Sequence, residues 1–162
     1  MLKGFAPLAL LAATLILALG WLMGRTGGLD VLPSESYKAD LAEFHGRHLA
    51  LLAAHGTGQS VDGIPVVRPP AGSDIPMLAK RWEFSPALEL EPGKTYRLHL
   101  LAEDTVHSAA IGEAEVLLTP GQARVVSLTA PASGRVRLQC AEYCGLSHTK
   151  MIGSIEVVAK AP

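Results

Sequence analysis

With 162 residues, the chain has room for one folded domain plus a short appended segment, and not for two large domains. Its 14 Lys and Arg stand against 15 Asp and Glu, a net charge of −1, so the cationic field that nucleic-acid binding requires is absent and no nucleic-acid partner is expected. The hydrophobic content of 49% exceeds that of an ordinary soluble domain, and the excess sits at the N-terminus.

From Phe5 to Met23 every residue is apolar or small apart from Thr14, with Lys3 ahead of the run and Arg25 behind it. A helix over this run rises about 28 Å, close to the roughly 30 Å hydrocarbon core of a bilayer, which predicts a transmembrane helix over residues 4–24. A cleaved signal peptide shares the basic start and apolar middle, and Ala18-Leu19-Gly20 offers a passable cleavage site. The apolar run continues past that site and Trp21 falls at interface depth, so the segment reads as a retained anchor. Lys3 with the terminal amine, set against Arg25 and Lys38, does not orient it.

Residues 25–73 read as a linker with a helix around 34–55: Pro33 precedes it, Ser34 or Ser36 caps it, Gly56 follows it, and Leu41, Phe44, Leu49 and Leu52 form its apolar stripe. His45, His48 and His55 share a broad side of that helix near Glu43. With no thiolate beside them, packing or solvation explains them better than a metal. Residues 56–73, rich in Gly and Pro and including Pro69-Pro70, read as a connector, which places the compact domain at 74–162.

Within that domain, short β-branched or alternating runs cover 75–84, 87–91, 95–102, 115–118, 123–129, 134–140 and 153–159. Glu91-Pro92-Gly93-Lys94 and Thr119-Pro120-Gly121-Gln122 supply reversals, and the spacing predicts an all-β sandwich with hairpins or Greek-key corners. Alternation in 95–101 puts Tyr96, Leu98 and Leu100 on one face and His99 on the other, where it is expected to meet solvent without a role.

The chemistry-bearing segment is Cys140-Ala-Glu-Tyr-Cys144-Gly-Leu-Ser-His148-Thr-Lys-Met151. Two thiolates, an imidazole and a thioether favour copper, because polarizable sulfur stabilises Cu(I) while imidazole suits both oxidation states. A structural zinc site is closed by four Cys or His ligands, so Met151 speaks against zinc. A Cys140–Cys144 disulfide would close a very small loop and leave His148 and Met151 without a purpose. A thioredoxin-like copper chaperone would carry its CxxxC after an early strand with Pro behind the second Cys, where this chain has Gly145 late in the sequence.

Cys140-x-Glu142-x-Cys144-Gly145-x-x-His148-x-x-Met151 resembles the dinuclear copper motif, CuA, of cytochrome c oxidase subunit II and nitrous oxide reductase. That family takes one more histidine from an upstream Asp-x-x-His loop, which Asp104-Thr105-Val106-His107-Ser108 matches. The resemblance implies that Cys140 and Cys144 bridge two coppers, that His107 and His148 each bind one, that Met151 is a weak ligand, and that Glu142 offers its backbone carbonyl. It further implies a cupredoxin-like Greek-key β-sandwich and an electron-accepting role in a membrane haem-copper oxidase, with cytochrome c as donor, haem in subunit I as acceptor, and the C-terminal domain on the periplasmic or outer side of the plasma membrane. Trp82 and Phe84 occupy the region where such chains place aromatic residues that receive electrons. A single anchor is similar to the short form of B-type oxidases, and the absence of Asp and Glu from residues 1–29 argues against proton delivery through this subunit. A nitric oxide reductase related to those oxidases, and a copper-handling module without electron transfer, are the alternatives.

Overall fold

Alternating apolar residues need a surface to bury against, and the chain answers with two sheets packed face to face. The computed structural model describes residues 5–24 and 31–159, with side chains from Leu10 to Trp21 and from Glu35 onward. Residue 4 of the expected span, 25–30 of the expected linker and 160–162 at the end of the expected domain lie outside the described residues. Helix α1 (Phe5–Gly24) is followed by β1 (Val31–Lys38), α2 (Leu41–His55), β2 (Gly56–Val61), β3 (Ile64–Val67), β4 (Asp74–Lys80), β5 (Glu83–Ser85) and β6 (Ala87–Leu90). The remainder is β7 (Thr95–Ala102), β8 (His107–Ile111), β9 (Ala114–Leu118), β10 (Gln122–Thr129), β11 (Gly134–Gln139) and β12 (Ile152–Val157).

One sheet has the order β1-β10-β7-β4-β5, the other β2-β3-β6-β12-β11-β8-β9. Their facing sides supply the main core: Ile75, Met77, Leu98, Leu100, Val126 and Leu128 from the first sheet meet Leu88, Ile111, Leu118, Val136, Leu138 and Ile155 from the second. Full burial of each such side chain contributes about 1.5–3 kcal/mol. Sheet pairings are mixed: β4 runs parallel to β7, and β6 runs parallel to both β3 and β12, so crossovers join the sheets alongside the hairpins.

Three expectations about the first half of the chain need correction. Residues 34–38 belong to strand β1, which pairs antiparallel along β10, so the helix starts later than expected. Its cap is Asp40, whose carboxylate accepts the backbone N–H of Glu43 at 3.0 Å; Asp40-x-x-Glu43 is the capping signal, and Ser34 and Ser36 are not. Residues 56–67, expected within a connector, form the β2–β3 hairpin. It turns on Asp62-Gly63, with φ of 51° and 83°, as a two-residue hairpin turn requires, and continues the second sheet through β3 and β6.

The outer face of the first sheet is covered as well. Phe44 of α2 packs with Leu78, Leu101 and Ala123, and Tyr37 and Ala39 lie against them. This cover corrects the expectation for His99: its side points away from the main core, but it lies beneath Tyr37 and is only 7% exposed.

At the N-terminus, α1 occupies the stretch expected to be helical. Among the described residues no helix is long and apolar enough to cross a membrane.

Candidate metal centre

The register of β11 with β12 pairs Gln139 with Ile152 and closes the intervening loop at its base, where the Cys140 N–H donates to the Met151 carbonyl at 3.0 Å. Within the loop, a single 3-10 turn over His148–Lys150 brings His148 back towards Cys144. From the neighbouring β8, the Ser108 hydroxyl accepts the Ala141 N–H at 2.9 Å and joins the two ligand-bearing segments.

The donor atoms converge. The Cys140 and Cys144 sulfurs lie 3.7 Å apart, both cysteines are free, and both are buried. The His107 Nδ1 stands 3.8 Å from the Cys140 sulfur, and the His148 Nδ1 stands 3.7 Å from that of Cys144. Met151 Sδ is 3.7 Å from the Cys144 sulfur, and the Glu142 carbonyl oxygen is 3.1 Å from that of Cys140. His107, Cys140 and Cys144 form the one potential three-ligand His/Cys/Asp/Glu cluster among the described residues. The Glu142 carboxylate is turned elsewhere and accepts the Tyr143 N–H at 3.0 Å, so only its main chain faces the sulfurs.

The tautomer of His107 follows from its partner. Asp104 Oδ1 lies 2.8 Å from Nε2, and the same carboxylate accepts the backbone N–H groups of Thr105 and Arg81 at 2.8 and 3.1 Å. Burial alone would raise the Asp104 pKa, but the hydrogen bond from His107 and those two backbone N–H groups hold it below its ordinary 3.8. The carboxylate is therefore ionised and accepts, Nε2 carries the proton, and the lone pair of Nδ1 faces the cluster. Desolvation, reinforced by the hydrogen bond and charge of Cys140, pushes the Cys144 thiol up to about 11, so without a metal it holds its proton at neutral pH. This His/Cys/Cys/Met donor set fits a copper site: soft sulfur, a free imidazole lone pair and burial all favour that metal over hard cations.

Two aromatic candidates separate in space. Trp82 is 38% exposed, and its indole ring lies against Gly145, next to Cys144; a Cβ at Gly145 would sit 3.4 Å from the Trp82 Nε1. Gly145 also holds φ at +121°, where only glycine is at ease. Phe84 is 2% exposed and belongs to the main core. Two large side chains of the metal loop stand out from its surface, with Tyr143 71% and Leu146 93% exposed. Strand β8, which begins at His107, went unread in the sequence; its signal was Gly112, φ 59°, turning β8 into β9.

No protein-family model matches the chain. It is 32% identical over 78 residues to probable cytochrome c oxidase subunit 2 of Streptomyces coelicolor and, to the same extent, to that of Streptomyces avermitilis. In each case the match covers 46% of this chain and 24% of the relative, so the chain spans about a quarter of the length of the curated relatives it matches. Among solved structures, a chain of a haem-copper terminal oxidase dimer superposes with a TM-score of 0.51 at 20% identity, over 94% of this chain and 99% of that one. Rusticyanin from Thiobacillus ferrooxidans superposes with a TM-score of 0.53 at 16% identity, over 78% of this chain and 99% of its own. The fold is thus a mostly β, two-sheet cupredoxin-like sandwich, and the chain is distantly similar to cytochrome c oxidase subunit 2.

Proposed function

We propose that this chain is the electron-accepting subunit of a membrane haem-copper oxidase, taking electrons from a soluble cytochrome c at a dinuclear CuA centre and passing them to haem in subunit I. The observation that carries this reading is the pair of free, buried thiols 3.7 Å apart, flanked on either side by an imidazole Nδ1. In this reading the thiolates of Cys140 and Cys144 would hold both metals, His107 and His148 would take one each, Met151 would be a weak ligand, and Glu142 would contribute its carbonyl. When bound, the copper pair supplies a one-electron relay whose charge change is shared between two metals.

The chain's own part is to hold the donors still and dry. Asp104 fixes the ring of His107, the Cys140–Met151 backbone bond fixes the loop base, and burial of both sulfurs excludes water, so little has to reorganise when an electron arrives. Trp82, exposed at one edge and packed on Gly145 at the other, is the surface point through which electrons reach the centre, while Phe84, the other aromatic candidate, is buried in the main core. In this reading the apolar run of residues 5–23, taken from the sequence, would anchor the chain in the plasma membrane as a single pass, with the sandwich on the periplasmic or outer side, in the one-helix manner of B-type oxidases. The exposed Leu11, Leu15, Ile16 and Leu17 suit a lipid-facing helix.

Copper loading of the full chain tests the reading. The expected product is purple, holds two coppers, and gives a seven-line electron spin resonance pattern; a colourless or single-copper product falsifies it and favours a copper-handling module. Co-purification with the catalytic subunit, assayed with oxygen and with nitric oxide, tests the acceptor. Reduction of nitric oxide alone overturns the oxidase assignment.

A further inference from the structure

The turn between β4 and β5 reaches into the metal centre from a third direction. Arg81 Nε donates to the Cys144 carbonyl at 3.0 Å, and the Arg81 backbone N–H donates to Asp104 Oδ2 at 3.1 Å. The same Nε lies 4.0 Å from that carboxylate. Because the other oxygen of Asp104 accepts from His107, one residue connects the loop that carries His107 with the loop that carries Cys144. The next residue, Trp82, covers Gly145, so the dipeptide grips two consecutive residues of the metal loop.

Resting on the copper reading above, we propose that Arg81 is a positioning residue of the metal centre, holding the two ligand loops in register and biasing the centre towards its reduced state through its fixed positive charge. Only a planar guanidinium offers a donor rigidly set on the side-chain stem, as the Cys144 carbonyl contact needs; a lysine ammonium on a flexible stem does not reproduce it. Reduction adds negative charge to the centre, so a cation beside it favours the reduced form. Asp104 offsets part of that charge, and its neighbours Lys80 and Glu83 pair with each other at 3.1 Å. Removing the guanidinium leaves the Asp104 carboxylate next to His107 without its ion-pair partner, which shifts the balance towards the oxidised form.

The test uses the full chain loaded with copper as wild type, Arg81→Lys, Arg81→Gln and Arg81→Met, followed by redox titration against a fixed mediator and electron spin resonance. Arg81→Met is expected to lower the equilibrium constant for reduction by about tenfold, the scale of one charge-assisted hydrogen bond, and to alter the copper hyperfine pattern. Arg81→Gln, which keeps a donor but not the charge, is expected to share the redox shift with a smaller spectral change. Arg81→Lys restores most of the redox balance while leaving the spectrum altered. If Arg81→Gln and Arg81→Met both keep the wild-type redox balance and spectrum, the proposal fails, even where thermal stability drops, because a merely structural residue moves stability alone. Should Arg81→Met not fold, the Gln and Lys variants decide the question by the same two readouts. A wild-type chain that gives no dinuclear copper signature overturns the reading of the site itself, and is recognised before any variant is compared.

Discussion

Two groups of histidines in this molecule have opposite fates, and the contrast explains what makes a ligand. On the α2 side, His48 uses Nδ1 on the Pro76 carbonyl at 3.1 Å and Nε2 on the Ser85 hydroxyl at 3.3 Å. His99 likewise uses Nδ1 on the Tyr37 hydroxyl at 3.0 Å and Nε2 on Asp74 at 2.9 Å. Both rings are buried and both have no nitrogen to spare. At the other site, His107 spends one nitrogen on Asp104 and turns the other towards a cysteine sulfur. Burial alone therefore does not distinguish a structural histidine from a ligand; what does is whether the lone pair of the second nitrogen is left uncommitted beside soft donors.

The strongest way to break this comparison is to remove the α2 side altogether. A chain starting at residue 74 lacks β1, α2, β2 and β3, leaving β10 and β3's partner β6 with open edges and Leu78 and Leu101 uncovered. It is expected to show no cooperative unfolding transition by circular dichroism and no stable copper centre; a truncated chain that melts cooperatively and binds copper as the full chain does would mean that the α2 cover is dispensable. Next, Cys144→Ser is expected to abolish the dinuclear colour and spin-resonance pattern of the copper-loaded full chain while the metal-free fold survives. Persistence of the full spectrum would remove Cys144 from a bridging role.

Phe44→Ala acts on the opposite side. Phe44 is 1% exposed in the cluster beneath α2, and its truncation should cost about 3–5 kcal/mol in denaturant unfolding with the copper spectrum unchanged. Asp104→Ala reverses that pattern, lowering copper affinity by about 10–100-fold, because the His107 ring loses the acceptor that orients it and sets its tautomer. A competition titration with a copper chelator measures this loss.

The smallest effect is a pH dependence. Desolvation, aided by the nearby charges of His45 and Lys80 and opposed by the Pro76 carbonyl, holds the His48 pKa below its ordinary 6.5. Below that pH the unfolded chain takes up a proton that the folded chain resists, so this contribution is present above pH 6.5 and is lost as the pH falls. Replacing His48 by Gln should flatten the decline of stability between neutral pH and the mildly acidic range, as measured by denaturant midpoints, without touching copper uptake. An equal decline in the variant would place the acid sensitivity elsewhere.

The ligand-bearing loop was legible because its chemistry is local. Cys140, Cys144, His148 and Met151 fall within one loop whose closing strands pair by adjacent register, so their spacing already implies convergence. Asp40-x-x-Glu43 and Asp62-Gly63 are equally local signals for the start of α2 and the β2–β3 turn, masked in the sequence by the louder Pro33 and the glycines that follow His55. Residues 31–38 offered no such cue, since a strand that pairs with β10 declares itself only through its partner.

Amino-acid order by itself determined the alternation that builds the main core, the turn chemistry, and a donor set of thiols, imidazole and thioether that selects copper, because each of these depends on residues near one another in the chain. Only the tertiary structure decided that α2 and β1 bury His99, that Trp82 faces the metal loop while Phe84 faces the core, and that Arg81 joins the Cys144 carbonyl to the Asp104 loop. Those relations connect side chains dozens of positions apart, and what sets them is which faces the two sheets present to α2 and to the loops at the metal end.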